Sequence, residues 1–367
     1  MFDFVPAQSY YSFYINISFG IVLFTLMHAF VLPITDKKNI SYINWIGYVY
    51  LLFIILYVGL RPVEGGVFGD MGTYKRYFVN YANGATVMIE KDALFHHFMK
   101  VCSYVMSSEF FFLTCMFLYT FPLYRISKVF FKEYWFYCFL MLAVSFSFWT
   151  YGTNGIRNGM ATSFFLYGLS FINRNKLLMV LFILLGSAIH QTMLLPAFAF
   201  SITYFYSKPK LYLIGWLLAI PLSIVLGGFW ESLFASLGFA DDRLEGYLTG
   251  DPSEYSFSST GFRYDFLLYS AAAVFVGWYF IFKRNFEDKI YINIYNTYLI
   301  CNAFWILVIR ASFSNRFAYL SWFMMGLVII YPYLKKEFFS KHHIVVGKVL
   351  TAYFLFTYLM YYIYYGG

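Results

Sequence analysis

This sequence is short of charge. Only 12% of its 367 residues are Asp, Glu, Lys or Arg, against about 25% in an ordinary soluble domain. A water-soluble globular chain is therefore excluded. Cysteine is scarce as well. Cys102, Cys115, Cys138 and Cys301 all stand in apolar stretches, and no two form a CxxC pair. That excludes a disulfide framework and a zinc site, and the four read as small buried hydrophobes. The short alternating segments of a transmembrane barrel are missing. So is any basic stripe interleaved with aromatics outside the apolar runs, so the net charge of +8 does not point to nucleic acid. The N-terminus has no basic region of the signal-peptide kind. Its first apolar run, from about Tyr11 to Ile34, is too long for a signal core and is expected to be a retained span.

What is present is grease. Hydrophobic residues make up 61% of the chain and aromatics 25%, and apolar runs of spanning length recur from end to end. The expectation is an all-α polytopic membrane protein, one transmembrane domain over residues 1–367. About twelve spans fall at roughly 11–34, 42–60, 110–124, 134–150, 156–172, 177–190, 192–206, 211–228, 264–282, 291–309, 317–334 and 346–364. The apolar but short stretch at roughly 93–107 reads as an interfacial or re-entrant helix. With the N-terminus outside, sixteen of the 26 Lys and Arg fall in inner loops and only five of the 18 acids do. That bias is the one the positive-inside rule requires. Large external loops are expected at about 61–109 and about 229–263.

The stretch Leu60–Phe78, LRPVEGGVFGDMGTYKRYF, is abruptly polar after an apolar run. Ionisable groups beside a span are costly and mark a candidate site. In this topology Arg61, Asp70, Arg157, His190, Arg263, Asp265, Arg310 and Arg316 all reach the external level. Arginine presents a planar fork that matches phosphate oxygens, and several together would hold a diphosphate and stabilise it as it leaves. Asp70 is the first choice of general base and His190 the second. Arg157, Arg263 and Arg316 would clamp the diphosphate with Arg61 assisting, and Tyr74 would orient the loop or a sugar. Lys75, Arg76 and Arg243 read as anchors. His28, His342 and His343 read as packing residues, and His96 and His97 fit either role. Asp241–Asp242 reads as a solvated turn rather than a metal site. Tyr247 and Tyr255 suit sugar ring faces.

These residues fall into an ordered set. Arg61 is followed by Gly69-Asp70, Tyr74 and Phe78. Asp92-Ala-Leu-Phe95 opens a helix. Then come Gly155-Ile-Arg157-Asn-Gly-Met-Ala161, and Ile189-His190 leading to Leu194-Leu195-Pro196. Weaker members are Gly261-Phe-Arg263-Tyr-Asp265-Phe and Asn315-Arg316-Phe-Ala-Tyr319. Over about residues 40 to 335 the set resembles the EpsG-like branch of Wzy-type polysaccharide polymerases. The chain departs from the family at Asp92, where Glu is usual, and at Asn158, where Gln is common.

The resemblance implies a GT-C-like helical fold in a bacterial plasma membrane, with the active site facing the exterior. It implies transfer of a growing glycan from undecaprenyl diphosphate to a sugar hydroxyl of an incoming undecaprenyl-diphosphate-linked repeat unit, with no metal or other cofactor. The partners implied are those lipid-linked oligosaccharides, the bilayer, and a chain-length regulator and flippase of the same pathway. The alternatives are an O-antigen-type ligase of related fold, a glycan flippase or transporter, and a membrane O-acyltransferase. Transport is disfavoured because the charges collect at one face, and acyl transfer because no inner His or Asp cluster is present.

Overall fold

The computed structural model describes residues 5–89, 91–236, 261–311 and 314–365. Asp241, Asp242, Arg243, Tyr247 and Tyr255 lie outside the described residues. Among the described residues every regular element is a helix. The chain divides into two compact units: Met1–Met193 with Tyr333–Gly367, and Leu194–Pro332.

The first unit contains α1 (Tyr10–Val31), α2 (Lys37–Gly59), α3 (Gly65–Phe68), α4 (Met71–Ala82), α5 (Ala93–Ser103) and α6 (Ser108–Phe131). It continues through α7 (Trp135–Ala143), α8 (Phe148–Thr153), α9 (Ile156–Leu169) and α10 (Lys176–Ile189). The second unit holds α11 (Leu194–Phe205), α12 (Pro209–Ser236), α13 (Tyr264–Trp278) and α14 (Lys289–Leu307). Its last residue, Pro332, lies in α15 (Asn315–Lys335), and α16 (His342–Tyr365) belongs to the first unit. Asp36, Asn175 and Asp288 start α2, α10 and α14 by accepting from the open backbone N–H groups of the first turn, as N-caps do.

Seven helical segments among the described residues are long and apolar enough to cross a membrane, and this is a multi-pass membrane protein. They include Lys37–Gly59, Pro209–Phe234 and Asn315–Lys335. Other expected spans are shorter helices. α9 and α10 have 14 residues each and α11 has 12. At 1.5 Å per residue these reach about 20 Å, less than the ~30 Å hydrocarbon core. The expected span at roughly 134–150 is two pieces, α7 and α8, and all nine residues of α7 are buried. A broken helix at membrane depth needs that enclosure, because its open backbone groups cannot face lipid. α6 runs on to Phe131, so Arg125 and Lys128 sit within the helix rather than in a loop. Lys128 lays its ammonium 5.8 Å from the Trp135 ring, a snorkelling arrangement that lets a helix end carry charge.

The stretch expected as an external loop is largely helical. α4 buries Met71, Tyr74, Phe78 and Tyr81, a spacing that places one apolar face against the unit. α5 has 11 residues and buries Phe95, His96, Met99 and Cys102. It is too short to cross, in keeping with an interfacial or re-entrant helix. All four cysteines are free and buried.

Candidate active site

α9 and α10 lie closely against each other, because two glycines permit it. A Cβ on Gly186 would stand 2.7 Å from the Ala161 carbonyl oxygen, and one on Gly168 2.9 Å from that of Met179. Small residues at such a crossing let backbones touch. The antiparallel pairing carries the end of α10, where His190 follows in extended backbone, toward the start of α9, where Arg157 stands in the first turn. Between them comes Asp92, the residue before α5, in left-handed backbone (φ 56°, ψ 31°). Asp and Asn tolerate that conformation better than other side-chain-bearing residues.

Asp92 is the hub. Its carboxylate is 6% exposed. Arg157 Nη1 donates to Asp92 Oδ2 at 2.9 Å, and the Gln191 N–H donates to Asp92 Oδ1 at 3.1 Å. His190 Nε2 stands 3.7 Å from Asp92 Oδ2. On its other side, His190 Nδ1 is 2.8 Å from Thr192 Oγ1, which also reaches Asn158 Oδ1 at 3.2 Å. Both imidazole nitrogens therefore face protein groups. Arg157 Nε donates to the Tyr74 hydroxyl at 3.1 Å, and the guanidinium lies over the Tyr74 ring at 5.8 Å. Nε and Nη1 are thus committed to Tyr74 and Asp92. Among the described residues nothing bonds Nη2, on a side chain that is 22% exposed.

Asp70 precedes α4, and its carboxylate-bearing residue is exposed. Its backbone N–H donates to Asn154 Oδ1 at 2.9 Å. Gly69 has φ 61°, and a Cβ there would run into the Asn154 amide. The turn thus requires glycine twice, for its conformation and for its contact. Asp70 and Tyr74 are one turn apart on the same helix face, and Asp70 acts electrostatically on both Tyr74 and Arg157. Burial raises the Tyr74 phenol above its ordinary pKa, with Arg157 pulling the other way. The phenol is protonated at neutral pH and, while accepting from Arg157, keeps its own O–H to give.

Arg61 lies elsewhere. It is 3% exposed. Nη1 donates to the Val58 carbonyl at 2.6 Å and Nη2 to the Thr153 carbonyl at 3.0 Å, and the rings of Phe68 and Phe112 flank it. Burial lowers its pKa to about 10, so it stays charged at neutral pH. It ties the C-terminal end of α2, where a cation suits the helix dipole, to the end of α8. In the second unit Arg263 forks onto Asp265, with Nε and Nη2 at 3.0 and 2.7 Å. Its guanidinium covers the Phe266 ring at 3.8 Å. Arg316 is exposed in the first turn of α15.

Of the residues singled out from sequence, the first unit brings together Tyr74, Arg157 and His190, with Asp70 beside them. Sequence reasoning passed over Asp92, Asn154, Asn158, Gln191 and Thr192 as site residues. The available signal was Asp92 itself, an acid opening a helix of period Phe95, Met99, Cys102. Among the described residues no three His, Cys, Asp or Glu side chains gather as a metal ligand set.

In comparisons with known proteins, the model of the EpsG family matches residues 44–366. No curated protein and no solved structure matches the chain.

Proposed function

Because this chain belongs to the EpsG family, a family of Wzy-like polysaccharide polymerases, we propose that it lengthens a glycan carried on undecaprenyl diphosphate. In this reading the growing chain moves to a sugar hydroxyl of an incoming undecaprenyl-diphosphate-linked repeat unit. The observation that carries it is the Arg157 guanidinium, held at Nε and Nη1 with Nη2 unbonded among the described residues, beside an exposed carboxylate at Asp70.

The chemistry is displacement at an anomeric carbon. The acceptor oxygen attacks, the bond from that carbon to the diphosphate oxygen breaks, and undecaprenyl diphosphate leaves with the electron pair. Arg157 neutralises the charge that develops on the leaving group, and the Tyr74 hydroxyl donates to the same oxygens or to the sugar. Asp70 accepts the proton of the attacking hydroxyl. It is preferred to His190 because Nδ1 is bonded to Thr192 and Nε2 faces the Asp92 carboxylate at 3.7 Å. His190 and Asp92 then serve to hold Arg157, and Arg61 acts from inside by fixing α2 to α8. Arg316, and Arg263 once released from Asp265, are proposed as further diphosphate ligands.

The wider reading completes the proposal. It comprises about twelve spans with the N-terminus outside and a GT-C-like fold in the bacterial inner membrane. The site faces the periplasm or exterior, catalysis is independent of metal, and a flippase and a chain-length regulator are partners. Purified protein given lipid-linked repeat units, with and without chelator, should build chains of many units in both conditions. If no candidate repeat is extended, the polymerase reading is wrong, and extension abolished by chelator alone would remove metal independence.

A further inference from the structure

α12 is not a continuous helix. Pro221 stands inside it, and at Leu226 the backbone leaves helical geometry (φ −123°, ψ 28°). Arg310 is seated on this break. Its Nη2 donates to the Ile224 carbonyl at 3.2 Å, and it runs past Gly227, where a Cβ would stand 3.2 Å from Arg310 Cδ. Interrupted helices persist in membranes where they are enclosed or line a cavity, and they are recurrent places for binding charged ligands.

A cavity adjoins the break. An apolar groove of about 850 Å³ lies between α11, α12 and α14 and is lined by Phe198, Leu218, Leu222, Phe234 and Leu307 among others. That volume is within the range of roughly 300–1,000 Å³ typical of ligand sites. Leu222 and Phe234 line the groove and bracket the break in sequence, and Leu307, on its α14 wall, stands three residues before Arg310, which bonds the Ile224 carbonyl two residues beyond Leu222. Two further polar atoms belong to this segment of α12. Trp230 Nε1 and Glu231 Oε1 are buried and have no hydrogen-bond partner among the described residues. Arg310 is near enough to act on Glu231 electrostatically, yet Glu231 Oε1 bonds nothing among the described residues.

An apolar trough, a guanidinium fork and an unused carboxylate oxygen ask for one kind of molecule. It has a hydrocarbon tail, an anionic head and a hydroxyl to donate. We propose that this groove seats a lipid-linked sugar diphosphate, with the polyisoprenoid chain in the trough, the diphosphate on Arg310 and a hydroxyl of the first sugar on Glu231. The assignment rests on the polymerase reading for the identity of the lipid. It adds a place in the second unit where one substrate is held by its chain.

The test uses the full chain in phosphatidylcholine nanodiscs. The probe is undecaprenyl-diphosphate-linked N-acetylglucosamine, with phosphatidylglycerol as the competing anionic lipid and native mass spectrometry reading what is retained. Gly215 lines the groove, and a Cβ there meets nothing within 4 Å, so Gly215→Phe starts a side chain in open space at the trough. Gly215→Phe and Arg310→Gln should each lower retention of the probe at least tenfold and leave phosphatidylglycerol unchanged. A probe bearing a diazirine on its last isoprene should label α11, α12 or α14 in the unaltered protein, a readout that does not depend on any variant folding. The seat is overturned if the unaltered protein retains the probe no better than phosphatidylglycerol, if Gly215→Phe retains it fully, or if the label falls on other helices. Arg157→Ala separates the two proposals, since the diazirine probe should still label α11, α12 or α14 in it while chain extension is lost. Loss of the probe in the groove variants from a protein that extends no repeat unit would keep the seat and discard the polymerase.

Discussion

Asp92 Oδ2 accepts from Arg157 Nη1 at 2.9 Å across 65 residues of sequence, and the same carboxylate accepts the Gln191 N–H. One acid thus joins α5, the start of α9 and the end of α10. Asp92→Asn keeps the left-handed backbone, which Asn tolerates, and removes only the charge. It is expected to cut chain extension about a hundredfold and to destabilise the protein by about 3 kcal/mol, the cost of leaving a largely buried arginine uncompensated. Asp92→Ala should be worse, because it adds a strained backbone. Thermal unfolding in detergent alongside an extension assay checks both, and equal stability of Asn and Ala variants would contradict the backbone part.

Arg157 makes two directed bonds that a lysine cannot make together. Arg157→Lys should therefore behave nearly as Arg157→Ala in the extension assay, with product stopping at single repeats, although it keeps the charge. Long chains from the Lys variant would show that charge alone suffices.

The base assignment separates in the rates of two variants. Asp70→Asn is expected to lower the rate by about 10²–10⁴-fold. His190→Gln should cost about tenfold, since His190 acts through the Asp92 carboxylate that holds Arg157. The reverse order would make His190 the base.

Arg61 bonds backbone carbonyls and is enclosed. Arg61→Met should lower stability by about 2–4 kcal/mol by orphaning the Val58 and Thr153 carbonyls. Activity per folded molecule should fall far less than in Arg157→Ala. A variant that is stable and inactive would place Arg61 on the substrate after all.

His96 supplies a pH dependence of stability. Its pKa is lowered to about 4, first by burial and then by Arg157, against a smaller raising effect of Asp92 and with His97 adding to the lowering. Its Nδ1 lies 3.0 Å from the Tyr81 hydroxyl. Between pH 6.5, near the unfolded value, and pH 4 the unfolded chain binds more protons than the folded one. Stability is therefore full above pH 6.5 and falls as the pH drops through that window. His96→Gln should flatten this part of the curve in melting experiments from pH 7 to 4.5.

Much of this arrangement was legible in the sequence. Runs such as Lys37–Gly59 declare a span by length and composition, and the order Gly69-Asp70, Tyr74, Arg157, His190 declared the family. Asp92 was not legible as the hub, because its role depends on a left-handed backbone and on the closeness of α9 to α10. Neither leaves a mark in local periodicity. Arg61 was misleading for a related reason. A polar residue at a span end reads as outward-facing, and only packing shows that its guanidinium turns in to close two helix ends. The helical nature of α4 was written in Met71, Tyr74, Phe78 and Tyr81, and it was masked by the glycines and charges around them.

The turn at Gly69 has a consequence for how this chain can change in length. Asn154 grips Asp70 by its backbone, so residues 69–74 keep a fixed register with the start of α9. Upstream, Glu64, Gly65 and Gly66 are exposed, and an added residue there can be absorbed by the turn. One added residue between Asp70 and Tyr74 would rotate the rest of α4 by about 100° and carry the phenol away from Arg157. Relatives of this protein should therefore vary in length before the glycine and hold a constant count of residues after it.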